Sequence, residues 1–366
     1  MALTSAELYD PSTGNFNATG GRSSSSRPGA ATLLPNGKVL FAGLPNAEPY
    51  DPLTGAFTGA GMYAGPSPGI IQTATLLADG KVLVTGWAAS ARGGWSQLYN
   101  PAMDTFSPTG LMTMWSDDYN ATLLVDGRVL FEGNYENDGN PADAELYDTA
   151  TGTFTRLGST IGRHQFSTAT LVPDGTVLIA GGQLVGGPGD RDAEIYLPAH
   201  SRFARAGPDG NMNVGRHLHS ATLLPDGTVL IAGGYSAYPA QTSTAELYTP
   251  AVLVPAPLLF SLLGDGRGQG AIWHAATGEI ASPSTPAVVG AILSMYTSSL
   301  ADGGVIPPQV SIGGRLAEVL YFGASGYPGY NQVNFRVPVG IAPGDSVPVR
   351  LTYLGRSSNQ VTLGVR

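Results

Sequence analysis

Short apolar runs alternate with polar turns along most of the chain, in a pattern that recurs. The clearest copy spans residues 220–234, where Ala-Thr-Leu-Leu is followed by Pro-Asp-Gly and then by Val-Leu-Ile-Ala. Two apolar runs of strand length on either side of an Asp-Gly pair are typical of a β-hairpin with a type I′ turn. Each copy therefore predicts two antiparallel strands.

This hairpin occurs five times, and its first apolar residues are Ala31, Ala74, Ala121, Ala169 and Ala221. The threonines that follow these alanines are 43 to 52 residues apart, which is the period of propeller blades. A second element of the kind Ala-Glu-Leu-Tyr-Asp-Pro follows each hairpin and usually continues through a turn to a phenylalanine. Four short strands per period form one antiparallel blade, and blades must stack to bury both faces. The pattern predicts an all-β protein with a β-propeller.

The number of blades depends on how the two ends of the repeat pair. Residues 5–16 hold the second half of a blade without a first half, and residues 245–250 add a sixth strand of the Glu-Leu-Tyr kind to five hairpins. If the N-terminal half completes the fifth blade, the propeller has five blades. If both ends form partial blades, it has six. We favour five.

A proline cluster at residues 251–257 ends the repeat, so we predict a propeller at residues 1–250 and a second domain at residues 251–366. Short β-rich runs separated by Gly, Pro and Asp turns predict an immunoglobulin-like sandwich there. These runs are residues 288–296, 309–312, 318–322, 332–337, 347–353 and 360–365.

The composition excludes several classes of function. The chain has 51 Gly, 28 Pro and only 12% charged residues, as expected of a turn-rich β protein. It has no cysteine, which excludes disulfides, zinc–thiolate sites and thiol nucleophiles. A formal net charge of −9 without any basic run argues against nucleic acid as a partner. No stretch is apolar enough to span a bilayer, and the first twenty residues lack the hydrophobic core of a signal peptide.

Polar residues concentrate where one propeller mouth is expected. Residues before each first strand and after each second strand lie at the same end of their hairpin, so they should converge on one mouth. In the third to fifth repeats these positions and the strands beside them carry Asp117, Asp118, Glu132, His164, His217 and His219. Imidazole and carboxylate groups suit Zn, Mn or Fe, and carboxylates alone suit Ca. His217 and His219 are two apart on an extended strand, so only one of them should face the axis.

These residues predict a divalent metal site that activates water. Its ligands would be His164, His217, His219, Asp117 and Glu132, and its catalytic groups His164, His217, Glu132 and Asp118. The residues expected to contact substrate are Trp87, Tyr119, Tyr135, Tyr235, Arg163 and Arg216. The prediction is a metal-assisted hydrolase of esters, phosphoesters or glycosides, which we expect to be a monomer that binds a small molecule or glycan at the mouth.

Each of these residues also has a structural interpretation. Buried histidines often only satisfy hydrogen bonds of a neighbouring blade. Glu132 replaces an alanine that other repeats have, and a buried carboxylate needs a partner such as Arg163 or Arg216. The aromatic residues could pack between blades. The alternative function is therefore a non-catalytic propeller that binds a glycan or a protein at the cell surface.

The repeat resembles bacterial kelch repeats, including those of galactose-oxidase-like propellers, over residues 5–250. The tail resembles a C-terminal domain of secreted acidobacterial proteins through residues 308–314, 331–338 and 361–363, and this likeness implies an extracytoplasmic location. Galactose oxidase uses copper held by two Tyr and two His, one Tyr being cross-linked to Cys. Because this chain has no cysteine, that radical copper cofactor is impossible here. Kelch-like propellers host oxidases, isomerases and interaction modules, so the fold does not decide the function.

Overall fold

Strands make up nearly all of the regular structure. The computed structural model describes residues 4–23, 28–59, 61–64, 69–87, 94–113, 118–133, 143–183, 187–207, 210–237, 240–300 and 304–366. Within these ranges the only helix is one 3₁₀ turn, Pro198–His200, and no helix there is long and apolar enough to cross a membrane. The chain divides into two compact units. The first comprises residues 1–169, 178–219 and 233–242, and the second comprises residues 170–177, 220–232 and 243–366.

A two-stranded hairpin and four four-stranded antiparallel sheets follow one another along the chain. The hairpin consists of β1 (Glu7–Asp10) and β2 (Asn15–Ala18). The first blade consists of β3 (Pro28–Leu33), β4 (Val39–Gly43), β5 (Glu48–Asp51) and β6 (Ala56–Phe57). The second consists of β7 (Ile70–Leu76), β8 (Val82–Trp87), β9 (Gly94–Asn100) and β10 (Thr105–Pro108). The third consists of β11 (Tyr119–Leu123), β12 (Val129–Gly133), β13 (Asp143–Asp148) and β14 (Thr153–Ser159). The fourth consists of β15 (Thr168–Leu171), β16 (Val177–Ala180), β17 (Ala193–Leu197) and β18 (Arg202–Arg205).

The fifth repeat has fewer strands in its sheet than the first four, within the described residues. This part of the chain contains β19 (Ser220–Leu223), β20 (Val229–Ala232), β21 (Tyr235–Ala237), β22 (Ala240–Gln241) and β23 (Ala245–Tyr248). In the part of the chain that the structure describes, β19, β20 and β23 form a three-stranded sheet, while β21 pairs with β22 and β1 pairs only with β2. The prediction of an all-β protein with a five-bladed propeller arrangement is confirmed. The expected closure is wrong, because β23 takes the place beside β20 that we gave to the N-terminal half.

The hairpin turns differ from the predicted type I′. A type I′ turn needs two residues with positive φ, but at residues 36 and 37 only Gly37 has one (83°). Its amide donates to the Leu34 carbonyl over 2.9 Å, and the Leu34 amide donates to Lys38 over 2.8 Å. This is a type I turn that continues into a glycine bulge. The residue before each glycine accepts a hydrogen bond from the amide two residues on, as Asp79 does from Lys81, and that bond explains the preference for Asp and Asn.

Apolar side chains of successive sheets pack together in the first unit. One buried cluster joins Leu40 and Ala42 of β4 to Val82 and Val84 of β8. Another joins Leu83 of β8 to Val129 and Phe131 of β12 and to Tyr147 of β13. The alternating apolar residues of each second strand therefore supply the packing between blades, as expected when neither face of a blade can remain exposed.

The second unit contains one curled eight-stranded sheet. Its strands are β24 (Ile272–His274), β25 (Ile292–Thr297), β26 (Gln309–Ile312), β27 (Arg315–Ala324), β28 (Asn331–Arg336), β29 (Gly344–Tyr353), β30 (Arg356–Ser357) and β31 (Val361–Val365). Leu293 and Phe335 from one half of the sheet share a buried core with Leu351 and Leu363 from the other half. This arrangement is consistent with a β-sandwich. Its immunoglobulin-like kind and the boundary at residue 250 stay predictions.

Candidate functional site

The ends of the first two strands of a blade meet as the hairpin pattern predicts. Ile70 pairs with Trp87 at the end of the second blade, and Tyr119 pairs with Gly133 at the end of the third. Beyond the regular strands of the fifth blade, His217 forms a bridge with Tyr235. The predicted site residues Asp117 and Tyr135 lie outside the described residues.

A buried glutamate or glutamine on the third strand holds the segment that enters each of the first four blades. Glu48 accepts a hydrogen bond from the Ser23 amide over 2.7 Å, and Glu194 accepts one from the Ile161 amide over 2.9 Å. Glu145 does the same for Thr113, and Gln97 does so for Ala64. Sequence reasoning missed this role. The signal was the acid or amide that recurs two residues before the tyrosine of each third strand.

His164 is fully buried between two acceptors. Its Nε2 lies 2.8 Å from Oε1 of Glu194, and its Nδ1 lies 2.8 Å from the Gly181 carbonyl oxygen. A carboxylate and a carbonyl both accept hydrogen bonds, so both ring nitrogens carry a proton and the ring is an imidazolium. Burial opposes that charge, but the hydrogen bond to Glu194 and the charges of Glu132 and Glu194 raise the pKa of His164 to about 9. An imidazolium has no lone pair, so this arrangement provides neither the metal ligand nor the general base that we predicted.

Glu194 is the counter-ion of this imidazolium. Burial alone raises the pKa of its carboxyl, but the hydrogen bond and charge of His164 and the amides of Ile161 and Gly162 outweigh burial and lower it. A carboxylate that accepts two backbone hydrogen bonds and faces a cation is stabilised in its charged form. The pair is thus a buried ion pair with its hydrogen bonds satisfied.

Arg216 occupies in the fifth repeat the position that His164 occupies in the fourth, six residues before the threonine of the hairpin. It is fully buried, and its Nη1 donates to the Gly233 carbonyl over 2.9 Å. Gly233 and Gly181 are also equivalent, since each lies eleven residues after that threonine. Both repeats therefore place a buried cation against the carbonyl of the equivalent glycine, Gly181 in the fourth repeat and Gly233 in the fifth. Arg216 is not open to a substrate, which corrects the contact role that we gave it.

Glu132 is the carboxylate without a full set of partners. It is completely buried in β12, and its Oε1 accepts a hydrogen bond from Asn120 Nδ2 over 2.5 Å. Its Oε2 has no hydrogen-bond partner among the described residues, and within them Glu132 makes no ion pair with Arg163 or Arg216. The salt bridge of the structural interpretation is therefore not found.

The protonation of Glu132 follows from this environment. Burial is the main cause that raises the pKa of Glu132 to about 8, against the opposing effects of His164 and Asn120. The nearby Asp118 and Glu194 carboxylates raise it further. The neutral carboxylic acid is thus the favoured form near pH 7, and a neutral acid is a poor ligand for a divalent cation.

Asp118 links the third blade to the fourth, because its carboxylate accepts a hydrogen bond from the Phe166 amide. The Phe166 carbonyl in turn accepts one from the Leu218 amide over 3.0 Å, which links the fourth blade to the fifth. Phe166 and Leu218 stand at equivalent repeat positions and both have a positive φ, 57° and 51°. The carboxylate that we expected to take part in catalysis thus belongs to a chain of contacts between blades.

The left-handed conformation of Leu218 also changes the arrangement of the two histidines beside it. His217 and His219 were expected on opposite faces of a regular strand, but a residue with φ of 51° lies between them and breaks the alternation. The His217 ring stacks on Tyr235 with centroids 5.6 Å apart, and His219 Nε2 lies 3.0 Å from Thr168 Oγ1. Burial, with the charges of Arg216 and His217, lowers the pKa of His219 to about 4. His219 is therefore neutral at pH 7.

The predicted substrate-contact residues separate into buried and accessible ones. Tyr119 is buried, and its hydroxyl donates to Thr85 Oγ1 over 2.9 Å; burial raises the pKa of this hydroxyl. A ligand cannot reach it without displacing the packing between blades, which corrects its predicted role. Trp87, Tyr235 and Arg163 are half-buried, so these three remain within reach of a ligand.

The predicted metal site is not assembled by the described residues, among which no three His, Asp or Glu side chains are grouped as metal ligands. His217 and His219 each have a buried Nδ1 without a hydrogen bond in these ranges, but no third ligand of that kind joins them there. The residues thus give no support to Zn, Mn or Ca in particular. They do not fit the copper centre of galactose oxidase either, because the cysteine of its cross-link is absent from the sequence.

Comparison with solved structures finds likenesses to this chain. No protein-family model and no curated protein matches the chain. A solved fungal alcohol oxidase of the AA5 family, in complex with copper, is similar at 15% sequence identity and a TM-score of 0.48, with 100% of this chain and 91% of that chain covered. That protein is an oxidase and not a hydrolase, and the metal ligands of the predicted hydrolase are not grouped in the described residues. The prediction of a metal-assisted hydrolase is wrong.

Proposed function

We propose that the propeller is a binding module whose mouth takes a small polar ligand such as a glycan. The polar groups that suggested catalysis are used inside the protein: His164 by Glu194, Asp118 by Phe166 and Arg216 by Gly233. Hydrogen bonds of this kind hold the mouth rigid. Recognition of a ligand then depends on the side chains that solvent can reach.

The observation that carries the proposal is the position of Trp87. Its ring is half-buried at the last residue of β8, directly across from Ile70, which is 52% exposed. A partly exposed indole suits a sugar ring, because it offers an apolar surface together with an N–H donor. Tyr235, held by stacking on His217, offers the same chemistry in the fifth blade.

An uncharged ligand also agrees with the charge of the molecule, since a net charge of −9 repels anionic partners. The extracytoplasmic location implied by the resemblance of the tail would bring such a protein into contact with polysaccharides. This location is part of the proposal.

Binding of the purified full-length chain to a glycan array tests the proposal. We expect a subset of neutral glycans to bind, and Trp87→Ala to weaken that binding by about tenfold, the effect of losing roughly 1.4 kcal/mol. Tyr9→Ala is the matched control, because Tyr9 is an exposed ring on β1. No binding, or binding that survives both Trp87→Ala and Tyr235→Ala, would refute the proposal. Release of hydrogen peroxide from alcohols by copper-treated protein would identify an oxidase instead.

A further inference from the structure

The second unit carries a row of side chains across four strands on the side of the sheet opposite its core. Trp273 on β24 pairs with Ser294 on β25, and Ser294 pairs with Asn334 on β28. Asn334 pairs in turn with Tyr321 on β27. Directly paired residues project to the same side of a sheet, and the neighbours of these residues, such as Leu293 and Phe335, point into the core. One aromatic ring therefore stands at each end of the row, with two polar side chains between them.

The adjacent row extends this surface. Tyr296 pairs with Gln332, and Gln332 pairs with Gly323. The Tyr296 ring lies edge-to-face against Trp273 at 4.8 Å and against Tyr327 at 5.7 Å between centroids. We call Trp273, Tyr296, Tyr321 and Tyr327 the aromatic face. Two of its members are well exposed, Tyr321 at 43% and Tyr327 at 62%.

Polar atoms between these rings remain available to a ligand. Asn334 Oδ1 accepts hydrogen bonds from Ser294 Oγ over 2.7 Å and from Gln332 Nε2 over 2.9 Å. These two bonds fix the orientation of the Asn334 amide, so its NH₂ group points away from them as a donor. The Gln332 carbonyl oxygen is likewise an unused acceptor in the described residues. Gly323, across from Gln332, adds no side chain, and the Tyr321 hydroxyl lies 3.4 Å from the position that a Cβ there would take.

The charge of this surface selects the kind of ligand. Neither row contains an ionisable acid or base of the Asp, Glu, Lys or Arg type. The next row does hold Arg336 and Glu318, but Arg336 Nε lies 2.9 Å from Glu318 Oε2, so these charges pair with each other. A surface of rings, amides and hydroxyls without net charge suits a ligand that is itself neutral, hydroxylated and flat on one side.

We propose that the aromatic face is a second binding site, specific for neutral oligosaccharide chains. Sugar rings stack on Tyr327 and Tyr321, and their hydroxyl groups exchange hydrogen bonds with the Asn334 NH₂ group and the Gln332 carbonyl oxygen. The site is built wholly from the second unit and does not depend on the proposal for the propeller mouth.

Affinity electrophoresis of the full-length chain in gels with soluble neutral β-glucan, xylan, mannan or galactan tests this site. We expect at least one polymer to retard the protein, and Tyr327→Ala or Gln332→Ala to weaken the interaction about tenfold. Tyr327→Phe should retain most of it, because stacking needs the ring and not the hydroxyl. Tyr327 is 62% exposed, so its truncation should not change the melting temperature.

The matched control is Trp87→Ala, which alters the propeller mouth and leaves the aromatic face intact. Retardation that Trp87→Ala removes and Tyr327→Ala spares would assign the binding to the mouth and overturn this site. Absence of retardation by every polymer would overturn it too. A dimer in sedimentation velocity that Tyr327→Ala dissociates would show instead that the face binds a second copy of the chain.

Discussion

At the scale of single residues, equivalent positions keep a role while the side chain changes. His164 and Arg216 are both buried cations on a glycine carbonyl. Arg22, in the segment that enters the first blade, also pairs with the third-strand Glu48 over 2.9 Å, as His164 pairs with Glu194, although it stands further from the hairpin. The sequence showed these residues as unusual but could not show their partners. Glu194 holds the Ile161 amide from 33 positions away, so the recurring glutamate was visible in the sequence while its distant partner was not.

Replacement of Glu194 by Gln should destabilise the protein, because His164 would remain buried without its anionic partner. We expect the free energy of unfolding in urea to fall by about 3 kcal/mol or more, the usual cost of breaking a buried ion pair on one side. The pKa of His164, followed by NMR, should fall in the same variant because the charge that stabilises the imidazolium is gone.

The control for this experiment is Arg156→Ala, which removes the ion pair with Asp143 on the protein surface, where the two side chains are 61% and 36% exposed. Such a pair contributes about 0.5 kcal/mol. If Glu194→Gln costs no more than this control, His164 is not an imidazolium held by Glu194.

At the scale of elements, the strands were predictable and the connections between them only in part. Asp-Gly and Asn-Gly pairs marked all five hairpins, because glycine alone adopts the required positive φ easily. The turn type was wrong, since the aspartate is chosen for its hydrogen bond and not for its backbone angles. The left-handed Leu218 was missed as well, because leucine carries no signal for that conformation.

Links between consecutive blades were also missed, although they recur. Thr109 Oγ1 lies 2.7 Å from the Tyr147 hydroxyl and donates to the Gly152 carbonyl over 3.3 Å. Thr19 makes the same pair of contacts with Tyr50 and Gly55. The Thr-Gly of one repeat thus holds the outer strands of the next, and the only signal in the sequence was a Thr-Gly pair after the last strand of a blade.

Replacement of Thr109 by Val, which has nearly the same shape, should destabilise the protein by about 1 to 3 kcal/mol, because the buried Tyr147 hydroxyl loses its partner. Chemical unfolding measures the change. In a Tyr147→Phe background the same substitution should cost less, since no hydroxyl is left unpaired. Equal costs in the two backgrounds would contradict the link, and Thr151→Val, at an exposed turn, should be close to neutral.

At the scale of the whole molecule, the repeat predicted five blades and a second β unit, and the structure confirms this arrangement. The function was harder to predict because polar residues that converge on one site can form hydrogen bonds with each other instead of with a ligand. Here Asp118, His164 and Arg216 meet partners inside the protein, and Glu132 is held largely neutral by burial. Residue types at a mouth indicate chemistry only when the folded chain leaves them unpaired.

The same buried groups should shape the stability of the whole chain against pH. Glu132 has a pKa of about 8 in the folded protein against 4.5 in the unfolded chain. The folded protein therefore keeps a proton that the unfolded chain releases, so the stability that Glu132 contributes is lost as pH rises from 4.5 to 8. His164, with about 9 against 6.5, stabilises below pH 6.5 and loses this effect towards pH 9. His219, with about 4 against 6.5, acts in the opposite direction, because the unfolded chain binds a proton more readily and stability falls as pH falls from 6.5 to 4.

Between pH 4.5 and 6.5 the effect of Glu132 opposes those of His219 and of His217, whose pKa burial also lowers, so the free energy of unfolding should change little. Above pH 6.5 Glu132 and His164 act together, and stability should fall by up to about 1.4 kcal/mol per pH unit for each group. Urea unfolding of the wild type and of Glu132→Gln from pH 4.5 to 9 measures these slopes. The variant should gain stability with pH below 6.5, where His219 and His217 remain, because burial lowers the pKa of both. Above pH 6.5 it should lose less stability than the wild type, because the amide cannot ionise or raise the pKa of His164. A wild type that becomes more stable between pH 6.5 and 8 would show that Glu132 is already charged in the folded protein.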